Sequence, residues 1–165
     1  MAISAIIMSV NFIACSSDDN NDNEKEQQTT ANLLGTWKCS STLPYEEHTA
    51  AQGGDGFREG LKIKFIQNNK CFIDYWGDGF QTGSGYINNP TESDWDSEDG
   101  DKWLLSGNNL TVMESDLDRW VGTVTIKGNE MTFTYKYQDW NYDKQIMVSE
   151  SKETYTSKFT LTSRN

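Results

Sequence analysis

Strict alternation of apolar and polar residues is the feature that most limits what this chain can fold into. Segment 131–137 is the clearest example, with large apolar side chains at every second position and Thr or Lys between them. The same period of two recurs in 61–65, 120–127 and 155–161, and no long stretch has the 3.6-residue period of an amphipathic helix. Strands with one apolar and one polar face are typical of an antiparallel sheet that covers a core on one side.

Short runs of Asn and Gly separate these strands: Asn68-Asn69, Gly107-Asn108-Asn109 and Gly128-Asn129. Both residue types tolerate the positive φ that tight hairpins need. Consecutive hairpins build an up-and-down meander, and closing about eight to nine strands into a barrel removes the exposed edges. We therefore predict an all-β domain over residues 31–165, an up-and-down antiparallel β-barrel. Segments 43–60 and 88–101 interrupt the alternation and are predicted to be long loops at the barrel mouth.

The N-terminal segment predicts export and a lipid anchor. Residues 1–14 carry no charge and are mostly apolar, a run too short to span a bilayer but of the length found in a secretory signal. The run ends in Phe12-Ile13-Ala14-Cys15, which resembles the bacterial lipobox, in which the cysteine is acylated and becomes the mature N-terminus. The resemblance implies a signal peptide over residues 1–14 and Cys15 as the lipidation site.

A polar and acidic stretch follows this cysteine. Residues 16–30 contain five acids, one lysine and no apolar side chain, so we predict that 15–30 is a disordered tether. Acids directly after an acylated cysteine resemble the surface-export signal of Bacteroides-type lipoproteins. That resemblance implies an outer-membrane protein that faces the cell surface and is attached through lipid alone; a simple solvated spacer is the alternative. The stretch carries −4 of the formal net charge of −11, and this acidity makes nucleic acid an unfavourable partner.

Gly35 and Trp37 begin the first predicted strand as Gly-x-Trp, which resembles the first signature of lipocalins and of lipocalin-like bacterial lipoproteins. Segment 103–112 is similar to a mid-domain hairpin of those lipoproteins. The resemblance implies an eight-stranded barrel in which Gly35 and Trp37 are structural, the tryptophan closes one end, and an internal cavity binds small apolar molecules. The expected function is therefore a lipid-anchored protein that binds a small, apolar ligand or has a structural role at the outer membrane.

Aromatic residues are the strongest lead to a binding site. Tryptophan and tyrosine combine a flat apolar face with a polar edge, which suits either a lipophilic pocket or stacking on sugars. Segments 76–80 and 139–142 stand where strands pass into loops and are the predicted rim of such a site. The candidate ligand-binding residues are Trp76, Phe80, Trp103, Trp120, Tyr135, Trp140 and Tyr142. The alternative function is a glycan-binding surface lipoprotein that uses exposed Trp and Tyr.

Residues for catalysis or metal binding are sparse. His48 is the single histidine and no nucleophile motif surrounds it, so we expect no catalytic residue, no cofactor and no enzymatic activity. The acidic segment 94–101 fails the EF-hand spacing, and a solvated loop is favoured there over a looser calcium site. Two cysteines and one histidine in the body do not make a zinc centre. We expect a monomer with no bound metal.

Cys39 and Cys71 remain as a pair once Cys15 is acylated, in a compartment that permits disulfides. Each lies in a predicted strand. The sequence is compatible with a Cys39–Cys71 disulfide and with two buried thiols, because the distance between the two Cα atoms decides between these alternatives.

Overall fold

The computed structural model describes residues 30–44, 55–98 and 100–164. The predicted signal peptide, Cys15, most of the tether and His48 lie outside the described residues. Most described residues are in β-strands, which confirms the predicted all-β class. The strands are β1 (Gly35–Leu43), β2 (Lys62–Phe65), β3 (Cys71–Asp74), β4 (Phe80–Thr82), β5 (Gly85–Ile87), β6 (Lys102–Ser106), β7 (Asn109–Met113), β8 (Arg119–Lys127), β9 (Glu130–Asn141), β10 (Ile146–Glu150) and β11 (Tyr155–Ser163). A helical turn at 30–33 precedes β1, and a short 3-10 helix, Glu92–Asp94, lies between β5 and β6.

Eight of these strands form one antiparallel sheet that curls into a nearly closed barrel. The order around it is β3-β2-β1-β11-β9-β8-β7-β6, so the first and last strands of the chain are neighbours. This order confirms the predicted up-and-down barrel. Strand β10 pairs with β9 over Gln138–Asn141, past the stretch of β9 that pairs with β11. The hairpin β4–β5, which the sequence did not predict, is inserted between β3 and β6.

The seam of the barrel lies between β3 and β6. Lys70 and Lys102 form a single β-bridge there, and the Cys71 N–H donates to the Asp101 carbonyl at 3.1 Å. The Asp101 carboxylate adds two bonds, because it accepts the backbone N–H groups of Ile73 in β3 and Ser115 beyond β7. The Asp101 side chain therefore helps to connect the edges of β3 and β6, between which the backbone forms few hydrogen bonds.

Trp103, the second residue of β6, reinforces the same seam. Its backbone N–H donates to the Asn69 carbonyl at 2.9 Å. Its indole N–H lies 3.0 Å from the Ile66 carbonyl and 2.9 Å from the Lys70 carbonyl. The ring packs edge-on against Phe65, with 6.0 Å between centroids.

Large aromatic side chains fill the barrel interior. Phe57 lies at the centre, with its ring centroid 4.6 Å from that of Trp120, 4.9 Å from that of Tyr135 and 5.7 Å from that of Phe159. The Phe57 N–H also donates to the Tyr135 hydroxyl at 2.8 Å. Phe57 belongs to the predicted loop 43–60 rather than to a strand, so this part of the loop packs inside the barrel.

The structure explains why Gly35 and Trp37, the two residues that carry the lipocalin resemblance, are needed at their positions. Trp37 is fully buried and its indole N–H donates to the Leu33 carbonyl at 2.7 Å, which fixes the helical turn across that end of the barrel. Gly35 has φ +136°, and a Cβ there would lie 2.6 Å from the Ser163 carbonyl oxygen. Any other residue would force β1 away from β11.

Cys39 and Cys71 are both buried free thiols, so the disulfide alternative is not formed in this structure. Cys39 lies in β1 and Cys71 in β3, with β2 between them. Two strand spacings amount to about 9–10 Å, whereas a disulfide needs Cα atoms about 4.4–6.8 Å apart. The sheet order therefore keeps the two sulfur atoms apart.

We expect Trp103→Phe to lower the free energy of unfolding by about 2 kcal/mol, because the buried Ile66 carbonyl loses the indole donor and the Lys70 carbonyl keeps only the Ile66 N–H. Trp76→Phe is the matched control, since Trp76 is 46% exposed and such surface changes stay within about 0.5 kcal/mol. Urea unfolding followed by far-UV circular dichroism measures both variants. Equal midpoints for the two would show that the Trp103 indole does not hold the seam.

Candidate functional site

Three of the predicted ligand-binding aromatics belong to the core. Trp103 is 4% exposed, Trp120 is fully buried and Tyr135 is 1% exposed. The Trp120 indole N–H donates to the Asp55 carbonyl at 3.0 Å, and the Tyr135 hydroxyl hydrogen-bonds to Ser157 at 3.0 Å. These side chains pack against one another, so the interior that the lipocalin resemblance implied as a ligand cavity is occupied by the protein's own rings.

Trp76, Trp140 and Tyr142, which belong to the predicted rim segments, are each at least partly exposed. Trp76 is stacked by the Arg58 guanidinium, 4.7 Å from the ring centroid. Trp140 is half-buried, because the Arg119 guanidinium covers it at 3.7 Å from the centroid. Tyr142 is 61% exposed at the tip of the β9–β10 hairpin. The two tryptophans thus each have a cation near the ring.

A concave region of the described chain lies outside the barrel, and we call it the outer groove. It has a volume of about 930 Å³ and is bounded by the outer faces of β1, β2 and β11, by segment 88–92 and by the helical turn at 30–33. Phe80, the remaining predicted aromatic, lies at this groove and is 2% exposed. It packs in a second apolar cluster with Ile66, Phe72 and half-buried Trp95, outside the main core.

Positive side chains line the outer groove. Lys62, Lys64 and Arg164 all line it, with Glu92 as the acidic residue of the lining. Lys62 and Lys64 alternate with Ile63 and Phe65 of the core, so both ammonium groups project from the outer face of β2. The Thr36 backbone lies opposite Lys64 on one side and opposite Ser163 on the other. The sheet register therefore brings Lys64 and Arg164 to the same groove.

Lys64 is the most enclosed of these cations, at 7% exposed. Its ammonium donates to the Asn89 side-chain oxygen and to the Pro90 carbonyl, both at 2.7 Å. Burial lowers the pKa of Lys64, and the negative charge of Asp94 opposes this shift. The two acceptors hold segment 88–92 against β2, and both are neutral.

An acidic pocket of about 450 Å³ lies beside the barrel seam, and we call it the seam pocket. Its carboxylates come from Asp94, Asp96, Asp101, Glu114 and Asp116. The predicted loop 88–101 and the turn after β7 supply these groups, so the seam brings together acids that are distant in sequence. The Tyr75 hydroxyl donates a short hydrogen bond to Glu114.

Burial and neighbouring negative charges raise the pKa values of two acids in the seam pocket. Burial raises the pKa of Glu114 from its ordinary value of 4.5 to about 7, with the Tyr75 hydrogen bond opposing the shift and Asp116 and Asp118 adding to it. Burial also raises the pKa of Asp101 well above its usual range, and the charges of Glu114 and Asp116 add to this effect. Glu114 is therefore a group that takes up a proton close to neutral pH.

Within residues 30–44, 55–98 and 100–164, one group of acids has the spacing of metal ligands: Glu114, Asp116 and Asp118, whose oxygens lie within 4.8 Å of one another. Asp118 already accepts the Tyr137 hydroxyl at 2.5 Å and the Trp140 N–H at 2.7 Å. Its two oxygens thus stabilise the turn between β7 and β8. Hard cations favour such oxygen ligands, but the described contacts are internal hydrogen bonds.

Sequence reasoning missed both concave regions. The signal for the outer groove was present as Lys62 and Lys64 at alternate positions of one strand, and the signal for the seam pocket was the alternating acids of 114–118. Neither pattern reveals which distant segment covers it. Among the described residues, no helix has the length and apolar character needed to cross a membrane.

We expect Glu114 to contribute about 2 kcal/mol more to the free energy of unfolding at about pH 5 than at about pH 8, because burial penalises only its ionised form. That contribution is complete below the ordinary pKa and is lost as the pH rises through about 7. Glu114→Gln should remove it, whereas Glu153→Gln, an exposed carboxyl, should not. Urea titrations at several pH values measure this, and an unchanged pH profile in Glu114→Gln would contradict the assignment.

Comparisons of the chain with protein-family models, with curated proteins and with solved structures each found no match. The lipocalin resemblance accordingly rests on Gly35, Trp37 and segment 103–112.

Proposed function

We propose that this protein is a lipid-anchored, lipocalin-like binding protein of the bacterial outer membrane that holds a small molecule in the outer groove. The observation that carries the proposal is the groove itself, with a volume of about 930 Å³ on the outer face of β1, β2 and β11. Ligand sites are concave, mostly apolar and furnished with a few placed polar groups, typically about 300–1,000 Å³ in volume. Leu34, Ile66 and Phe80 supply apolar surface, and Thr36 and Lys64 supply polar groups.

The packed interior supports a site outside the barrel. Phe57, Trp120 and Tyr135 contact one another at ring-centroid distances below 5 Å in two of their pairs. A ligand inside would have to displace these rings, and removing a large aromatic from a core costs about 3–5 kcal/mol. The outer groove needs no such displacement.

The anchor part of the proposal rests on Phe12-Ile13-Ala14-Cys15 and the acidic tether that follows. A lipid-bearing cysteine with more than one acyl chain gives stable attachment without a spanning segment. The polar segment 16–30 is the part of the chain that would connect this cysteine to the barrel.

We expect Cys15→Ala to move the protein from the membrane pellet to the soluble fraction, because the acylated thiol is the proposed attachment. Fractionation of the producing cells, with metabolic labelling by a fatty acid, measures both location and acylation. Cys71→Ala is the matched control and should keep both the label and the membrane location. A labelled, membrane-bound Cys15→Ala protein would contradict the anchor.

We expect Thr162→Trp to weaken binding of the neutral lipophile 1-N-phenylnaphthylamine at least about tenfold, because Thr162 lines the groove and an indole there fills it. Thr123→Trp is the control, since Thr123 is exposed on β8 and does not line the groove. Fluorescence titration of the unacylated Cys15→Ala chain gives both affinities. Absence of binding by the parent chain, or equal affinities for the two variants, would contradict the groove as the site.

The glycan alternative rests on exposed aromatic faces away from the groove. Tyr142 is 61% exposed, and Trp76 is 46% exposed with the Arg58 guanidinium stacked on its ring. Stacking of a sugar on such a ring needs one open face. A glycan array distinguishes the two functions. Binding that is lost in Trp76→Ala or Tyr142→Ala but kept in Thr162→Trp would favour the glycan function.

A further inference from the structure

The outer groove is positive in a protein that is strongly negative. The chain has a formal net charge of −11, yet three cations, Lys62, Lys64 and Arg164, meet one carboxylate, Glu92, along the groove. Glu92 is itself neutralised, because it accepts from Lys70 and from Asn68, both at 2.8 Å. Lys62 is likewise paired with Asp74. The positive charge that the groove offers to an anion therefore comes from Lys64, on which the charge of Asp94 also acts, and from Arg164.

Lys64 carries the argument furthest. An ammonium has three donors and no acceptor, and two of its donors reach the neutral oxygens of Asn89 and Pro90. Burying a charge is costly unless it is paired as well as hydrogen-bonded, and the negative charge of Asp94 does not fully offset the effect of burial on the pKa of Lys64. At 7% exposed, beside a groove of about 930 Å³, this ammonium has the donor and the charge to hold an anionic group.

Of the two flanking cations, Lys62 is engaged in an ion pair with an acid, whereas the described hydrogen bonds of Arg164 go to backbone carbonyls. Lys62 pairs with Asp74 at 2.8 Å through one oxygen. The Arg164 guanidinium donates to the backbone carbonyls of Asn32 and Leu34 at 2.7 and 3.2 Å and to that of Gly128 at 3.4 Å. These acceptors of Arg164 are neutral, and a guanidinium has five donors. Its positive charge is therefore held at the end of β11 without being cancelled by those bonds.

Apolar surface adjoins these charges. Leu34, Ile66 and Phe80 line the groove together with Lys64 and Arg164. Ile66 and Phe80 belong to the second apolar cluster, so this part of the groove wall is fixed by packing. The combination matches a molecule with one anionic end and an apolar body.

We propose that the outer groove binds an amphipathic carboxylate, with the carboxylate on Lys64 and Arg164 and the apolar body along Leu34, Ile66 and Phe80. This inference rests on the proposed function, because it names the ligand class of the same groove. A carboxylate suits the site because charge-assisted bonds from an ammonium and a guanidinium are short and strong. The apolar end supplies the area that a small polar anion lacks.

The test compares 11-(dansylamino)undecanoic acid with its methyl ester, which differ in the carboxylate charge and share the fluorophore. The protein is the full chain carrying Cys15→Ala, so that no detergent competes for the probe. We expect the acid to bind at least about tenfold more tightly than the ester. Lys64→Met, which keeps the aliphatic stem, should lower the affinity for the acid about tenfold and leave the affinity for the ester unchanged.

Arg164→Gln is a second variant that keeps the test decisive if Lys64→Met fails to fold, as judged by circular dichroism. Arg164→Gln should also reduce the difference in affinity between the acid and the ester. Lys144→Gln is the matched control, since Lys144 is exposed in the β9–β10 turn and does not line the groove. It should leave both affinities unchanged.

The outcomes separate the inference from the function on which it rests. Equal binding of acid and ester by the parent chain overturns the carboxylate site and leaves a small-molecule groove in place. Failure of both probes to bind overturns the proposed function as well. Displacement of the acid probe by decanoate but not by glucuronate supports the amphipathic class, whereas displacement by glucuronate at equal or lower concentration overturns it in favour of an acidic sugar.

Discussion

The pairing of β1 with β11 is the interaction on which the rest of the structure depends. It joins the two ends of the domain in an antiparallel ladder from Thr36–Ser163 to Leu43–Thr156. Without it the meander would be an open sheet with two long edges, and such edges are prone to pair with other chains. The pairing also requires a residue without a Cβ at Gly35. The outer groove lies on this junction, because β1, β2 and β11 form its floor.

Closure at the opposite seam is weaker and is completed by side chains. The Asp101 carboxylate and the Trp103 indole each bond backbone groups across it. Collecting acids at such a seam has an electrostatic consequence, because burial raises the pKa of Asp101 and Glu114 together. The acids of the seam pocket thus gather beside the seam, whereas the enclosed ammonium of Lys64 lies at the outer groove. The buried carboxylate of Asp74 pairs with Lys62 of that groove.

Much of the fold was predictable because the information is local. The alternation of 131–137 became β9, and Asn68, Asn69, Gly107 and Gly128 all have the positive φ that their turns require. The roles of the aromatic residues were harder to predict, because the alternation shows which side chains share a face of the sheet. It does not show whether other parts of the chain cover that face. Trp120 and Tyr135 were predicted as ligand contacts and are core residues, because Phe57 from outside the strands packs between them.

The sequence by itself determined the all-β class, the up-and-down order of strands and the turns, because alternation and turn chemistry act over a few residues. It also carries the lipobox-like segment 12–15 and the acidic segment 16–30. Only the tertiary structure decided that Cys39 and Cys71 stay apart, that Phe57 occupies the interior, and that Lys64 and Arg164, a hundred residues apart in number, line one groove. The physical reason is strand register: which side chains meet depends on pairings between distant strands, and no local pattern encodes them.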